Sequence, residues 1–219
     1  MFDLFSGYYD GTDPDRFLSD LQDKQQVILL YDGQRALRGF STLAVVHRDY
    51  NGRAVRAVFS GDTIVHHGYW GEQTLAFAWI RLAGRIKAER PEQPLYWFLI
   101  VKGHRTYRYL HAFTHRYYPS WREPTPRRQQ ALIDALAIER FKDCYDPRQG
   151  VVRFPRSLGQ LKPAWAAVEG DDRRRPEVRF FLERNPGYVR GEELVCLAEL
   201  HPDNLRSLAR RLFLQGMQA

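Results

Sequence analysis

The chain has 219 residues, 44% apolar and 27% charged, with a formal net charge of +7 and a mean hydropathy of -0.51. That composition supports a sizeable core and excludes a disordered chain, and no stretch approaches the ~20 apolar residues a membrane helix requires. The basic balance favours acidic partners: nucleic acid, a phosphorylated cofactor, an acidic carrier protein or an anionic membrane surface.

The first residues, MFDLFSGYYDGTDPD, carry acids where a secretion signal needs a basic flank and an apolar run, so a cytoplasmic protein is expected. A short helix is expected over residues 15–24, then a strand over 27–31 stopped by Asp32-Gly33. Residues 37–48 form a second strand, Asp49-Tyr50-Asn51-Gly52 gives the hairpin turn, and 54–66 return. Three strands joined by short turns are antiparallel neighbours. Residues 72–90 follow as a helix, with Leu75, Trp79, Leu82 and Ile86 at helical spacing. Residues 95–101, LYWFLIV, read as a strand covered on both faces. Strand, crossover helix and strand make a parallel, right-handed connection.

A second helix, HRTYRYLHAFTHRYY, is expected to run to Pro119, and a third starts at Thr125-Pro126 with Ala131, Leu132, Ala135 and Leu136 as its apolar stripe. Residues 142–176 read as irregular, with DDRRRP as an exposed loop. A strand over 193–200 and a helix over 203–214 close the chain. Cys144 and Cys196 have neither metal spacing nor a disulfide framework, and Cys196 lies in an apolar run. The expectation is one α/β (α+β) domain over residues 1–219.

Three places can carry chemistry. Gly61, in mid-strand, marks a bulge or a close backbone approach, and a bulge re-aims the residues beyond it. Asp62 is then a charged group in a central strand, either functional or an acceptor for a neighbouring loop. Alternation puts Ser60, Asp62, Ile64 and His66 on one face and Phe59, Thr63 and Val65 on the other. The loop His66, His67, Gly68, Tyr69, Trp70, Gly71, Glu72, Gln73 leads into a helix, where free N–H groups and glycines suit an anion. Lys102-Gly103-His104-Arg105 lies at the carboxyl end of the buried strand, where open α/β sheets bind ligands.

This order of elements resembles the GNAT acyltransferase superfamily over roughly residues 27–118: antiparallel strands, an interrupted strand, a glycine-bearing loop and helix, a parallel strand and an aromatic helix. The resemblance implies a mixed, mostly antiparallel sheet flanked by helices. It also implies a cosubstrate, either acyl-CoA or an acyl thioester on phosphopantetheine. The implied cosubstrate contacts are Ser60, Gly61, Thr63, Ile64, Lys102 and the loop from His67 to Gln73. Tyr107 or Tyr109 is the implied general acid, and Asp62, His66 and His104 are the implied bases. The loop offers only Gly68-Tyr-Trp-Gly71 where the family has Arg or Gln, two spacers and Gly-x-Gly. An acyl-carrier protein, needing fewer pyrophosphate contacts, suits that loop better. The acceptor is a small-molecule or peptide amine, and the segment 119–192, absent from minimal members, is expected to shape its site. No metal is called for. Two other readings stand beside this one. A nucleic-acid module would use the aromatic helix and Arg173 to Arg175. A GNAT-like protein could also bind thioesters without turnover.

Overall fold

The computed structural model describes residues 1–50, 52–155 and 159–219; Asn51 of the expected hairpin turn lies outside them. Helices α1 (Phe2–Ser6) and α2 (Pro14–Gln22) flank the short strand β1 (Tyr9–Asp10). Helix α2 starts where Asp13 Oδ1 accepts the Arg16 N–H at 2.9 Å and Pro14 takes the first turn. Then come β2 (Gln26–Tyr31), β3 (Leu37–Tyr50), β4 (Arg53–Val65), α3 (Thr74–Glu89), β5 (Leu95–Val101) and α4 (His104–Phe113). The remainder is α5 (Arg127–Phe141), β6 (Tyr145–Asp146), β7 (Val151–Val152), β8 (Gln160–Leu161), α6 (Pro163–Ala166), α7 (Pro176–Arg184), β9 (Glu193–Glu199) and α8 (Ser207–Met217).

Seven strands form one mixed sheet in the order β2-β3-β4-β5-β9-β7-β6, and β4–β5 is its parallel pair. Strand alternation along β5 divides the core. Trp97, Leu99 and Val101 pack beneath α3, α4 and α8 with Trp79, Leu110 and Phe213. Tyr96 and Phe98 pack with Leu132, Ile133 and Leu136 of α5. A third cluster joins Phe5, Tyr8 and Phe17 of the N-terminal segment to Phe40 and Ile64 near the end of the β3–β4 hairpin. Among the described residues no helix is long and apolar enough to cross a membrane.

Two constraints set the geometry around β4. At its start the fully buried Arg56 donates to the carbonyls of Ile86 (2.7 Å) and Arg90 (2.9 Å), groups that the end of α3 leaves without helical partners. The guanidinium also meets the negative end of the helix dipole, which fixes the far end of α3 to the sheet. The second constraint is a bulge. Leu43 pairs with Ser60 and Ser41 with Thr63, so Gly61 and Asp62 together oppose Thr42. A Cβ on Gly61 would lie 2.5 Å from Thr42 Oγ1 and 2.6 Å from Lys24 Cε, so a side chain does not fit there without displacing both.

The bulge corrects the simple alternation. Directly paired residues share a face, and Phe59 pairs with Ala44 while Ile64 pairs with Phe40. Residues 44 and 40 lie on one side of β3, so Phe59 and Ile64 also share a side. The extra residue has reversed the facing beyond Gly61.

Other expectations shift for local reasons. The aromatic helix stops at Phe113 rather than Pro119, because Thr114 turns extended and its hydroxyl donates to the Leu110 carbonyl at 2.7 Å. Residues beyond it pair instead with Asn204 and Leu197. The stretch expected to be irregular contains β6 and β7, which extend the main sheet through β9, and β8, which pairs with β1. Helix α7 follows it.

Helices α3 and α8 touch backbone to backbone: a Cβ on Gly84 would overlap the Phe213 carbonyl, and one on Gly216 the Arg81 carbonyl. Gly84→Ala should therefore destabilise the fold by about 1–3 kcal/mol, read as a lower urea midpoint with an unchanged slope. An unchanged midpoint would mean that the helices are not in this contact.

Candidate functional site: two cavities where the parallel strands part

The parallel pairing of β4 with β5 ends at Ser60 opposite Leu99. Beyond it β4 stays bonded to β3 through Val65 while β5 follows β9, so the strands part and, among the described residues, β4 has no strand partner on its β5 side. Two cavities open at this gap. One, of about 340 Å³, lies among Ser60, Asp62, Lys102, Glu193, the N-terminal Tyr9, Arg16 and Asp20, and Arg140 and Phe141 of α5. The other, of about 540 Å³, lies among Ile64, Val65, residues 69–73, residues 103–106, Arg108, Tyr109, Trp165 and Arg175. Tyr9, Thr63 and Thr106 line both, so the cavities are neighbours with these three residues between them.

The smaller cavity carries a cluster of ionisable groups. Lys102 Nζ stands 3.4 Å from Glu193 Oε1 and 5.4 Å from the centre of the Tyr9 ring. Burial pushes the Glu193 carboxyl up to about 6; Lys102 opposes the shift and Asp62 adds to it. Burial also raises Asp62, with Lys102 and Lys24 pulling it down and Asp20 pushing it up. The Tyr9 hydroxyl is held protonated by burial and by the nearby Asp62 and Glu193 charges. Asp62 itself makes no hydrogen bond or ion pair among the described residues.

The larger cavity is basic and aromatic. Arg105 stacks on Trp70 at 4.5 Å and donates to the Trp165 carbonyl at 2.8 Å. Trp70 Nε1 donates to the Val65 carbonyl at 2.8 Å, which folds the loop back on β4. Gly71 has φ +112°, a conformation that L side chains rarely adopt, and lets the chain turn into α3. No side chain caps the start of α3, so its first N–H groups are left for another acceptor. His104, 2% exposed, is driven down to about 4 by burial and Arg105, and its Nε2 is 3.5 Å from Asp172 Oδ2. Asp172 also pairs with Arg108 (3.0 Å) and Arg175 (2.8 Å).

The residues expected from sequence therefore divide. Asp62, Ser60, Gly61 and Lys102 line the smaller cavity, and Thr63 lines both. Ile64, Tyr69, Trp70, Gly71, Glu72, Gln73, His104 and Tyr109 line the larger one. His66, His67 and Gly68 line neither and instead brace the loop. His66 Nδ1 accepts the Gly68 N–H at 3.2 Å, and the His67 N–H donates to the Tyr8 hydroxyl at 2.6 Å. Tyr107 lies apart from both. It is fully buried in the core, its hydroxyl donates to the Pro119 carbonyl at 2.8 Å, and it faces neither cavity. Phe113 of the same helix is buried too, as are Tyr117 and Tyr118 beyond its end, so this segment presents few rings for bases to stack on.

Sequence reasoning missed Glu193, Tyr9, Arg140 and Asp172. Glu193 had one signal, an acid opening an otherwise apolar strand; Tyr9 and Arg140 had none, since only the chain's path brings them to β4. Asp172 was read as part of an exposed loop, yet it bridges three cationic or imidazole side chains. Among the described residues no group of three or more His, Cys, Asp or Glu is placed to hold a metal ion. Compared with protein-family models, curated proteins and solved structures, the chain finds no match.

The two buried titrations act in opposite directions on stability. Glu193 is raised from 4.5 to about 6, so its contribution is present below pH 4.5 and is lost as pH rises through 6. His104 is lowered from 6.5 to about 4, so its contribution is present above pH 6.5 and is lost as pH falls through 4. Relative to the parent, Glu193→Gln should gain about 2 kcal/mol between pH 4.5 and 6, and His104→Asn about 3 kcal/mol as pH falls from 6.5 to 4. Urea melts across this range check both, and parallel curves for parent and variant would contradict the assignment.

Proposed function

We propose that the protein is an acyltransferase of GNAT type, taking an acyl thioester in the larger cavity and an amine in the smaller one. The observation that carries this reading is the adjacency of the two cavities at the unpaired edge of β4, with the Asp62–Lys102–Glu193 cluster on one side and the loop with Arg105, Arg108 and Arg175 on the other. The order of β2 to β5, the bulge and the parting strands support it as well.

In this reading the phosphates of the donor, CoA or a carrier's phosphopantetheine, lie against the start of α3 and the arginines. The arm runs along β4, whose free backbone N–H groups polarise the thioester carbonyl. The amine nitrogen attacks that carbon, so a C–N bond forms and the C–S bond breaks. The amine proton passes to the carboxylate of Glu193 or Asp62. The departing thiolate takes the proton of Tyr9, which lines both cavities and which burial keeps protonated. Products are an amide and a thiol, and the carboxyl's proton returns to Tyr9 or solvent. Tyr109, which lines the donor cavity alone, is the second candidate acid. We assign the reaction to the cytoplasm, where free thiols such as Cys144 and Cys196 persist.

Thiol release from acetyl-CoA, long-chain acyl-CoAs and acyl-carrier protein, with amino acids and simple amines as acceptors, tests the reading. Turnover should rise with pH through about 6 as Glu193 loses its proton. Tyr9→Phe and a double Asp62→Asn, Glu193→Gln change should each lower kcat, the latter by about 10²–10⁴-fold. Tyr107→Phe should leave kcat unchanged. Binding of a thioester without turnover would favour the non-catalytic reading; failure to bind any thioester would overturn both.

A further inference from the structure

Among the charged groups that line the smaller cavity, two of opposite sign make no hydrogen bond or ion pair among the described residues and feel their counter-charges only at longer range. Asp62 is one, beyond the bulge of β4 and without a hydrogen bond or ion pair among the described residues. The other is Arg140, in the last turn of α5. Its guanidinium lies 3.9 Å from the centre of the Phe59 ring and likewise makes no hydrogen bond or ion pair among the described residues. Asp20 and Asp23 act on it only as more distant charges. A half-buried arginine held over an aromatic ring, with no hydrogen bond or ion pair among the described residues, is placed to receive a planar anion such as a carboxylate. The same cavity is lined by the apolar side chains of Phe59, Leu99, Phe141 and Phe154, beside the charged Arg16, Asp20 and Asp23.

We propose that the amine acceptor is a free amino acid with an apolar side chain. Asp62 receives the ammonium and takes the proton that frees the nitrogen's lone pair, the second proton passing to Glu193 as the nitrogen attacks; Arg140 receives the carboxylate; and the phenylalanine walls receive the side chain. This rests on the assignment of the smaller cavity to the acceptor, and it makes Arg140 a specificity-determining residue. A simple amine fills only half of the charge pattern, and a carboxylic acid only the other half. The acid product keeps its carboxylate on Arg140, while its nitrogen, now an amide, no longer satisfies Asp62. That loss of one anchor favours release.

Binding measured by calorimetry, without any thioester, separates this inference from the donor chemistry. L-phenylalanine, phenylalaninamide, phenethylamine and 3-phenylpropanoate are the probes. The parent protein should bind phenylalanine about ten- to a hundredfold more tightly than the amide or phenethylamine. Arg140→Met should remove that preference, bringing phenylalanine down to the affinity of its amide. Equal affinity for phenylalanine and phenethylamine in the parent would overturn the proposal whether or not the variant folds, and so would failure to bind phenylalanine. Arginine-dependent binding of phenylalanine together with no thiol release from any thioester would sustain this site and overturn the acyltransferase reading. Thiol release with phenylalanine as acceptor at a KM unaffected by Arg140→Met would do the reverse.

Discussion

The local backbone geometry of β4 at Gly61 governs the rest of the site. Two residues there oppose one on β3, and the crowding by Thr42 and Lys24 admits no side chain. A bulge increases twist and bends the strand that carries it. Strand β4 accordingly holds β3 through Val65 but leaves β5 after Ser60. The gap leaves this stretch of β4 without a strand neighbour on the β5 side among the described residues, where backbone groups ordinarily pair. The same extra residue turns Asp62 toward the side of Phe59, α2 and α5, so one irregularity both opens the sheet and aims the acid.

Around that opening the fold holds its parts by spending charge on backbone. Arg56 ties the end of α3 to the start of β4, which leaves the other end of the helix, with uncapped N–H groups, beside the loop. Tyr8 pins His67, and Trp70 returns to Val65, so the loop is fastened at two points. Elsewhere near the gap, acids and bases are matched: Glu193 with Lys102, and Asp172 with Arg108 and Arg175. Asp62 and Arg140 differ from these in making no hydrogen bond or ion pair among the described residues, although Lys102 and Lys24 act on Asp62, and Asp20 and Asp23 on Arg140, as more distant charges.

The fold class was legible in the sequence because its determinants are local and periodic. Alternation in β2 to β4, the helical stripe of Trp79 and Ile86, and the apolar run of β5 each declare themselves within a dozen residues. Gly61 was legible as a break in a strand, but not which way the residues after it would turn, since that depends on the partner strand. Tyr107 and Tyr109 look equivalent in sequence; only the packing of Phe180 and Phe181 against Tyr107 separates a core ring from a cavity ring. The two-residue strands β6 and β7 have no periodicity to read and exist because β9 offers them an edge. Glu193, Tyr9 and Arg140 come together across most of the chain length, which no spacing rule can reach.

The central claim is that the unpaired edge of β4 beyond Gly61 receives a thioester arm. Amide hydrogen exchange with and without a non-cleavable thioether analogue of an acyl-CoA tests it most directly. The account predicts added protection confined to residues 61–65 of β4 and to residues 69–76 at the loop and the start of α3. Protection that leaves β4 untouched and falls elsewhere on the chain would contradict it.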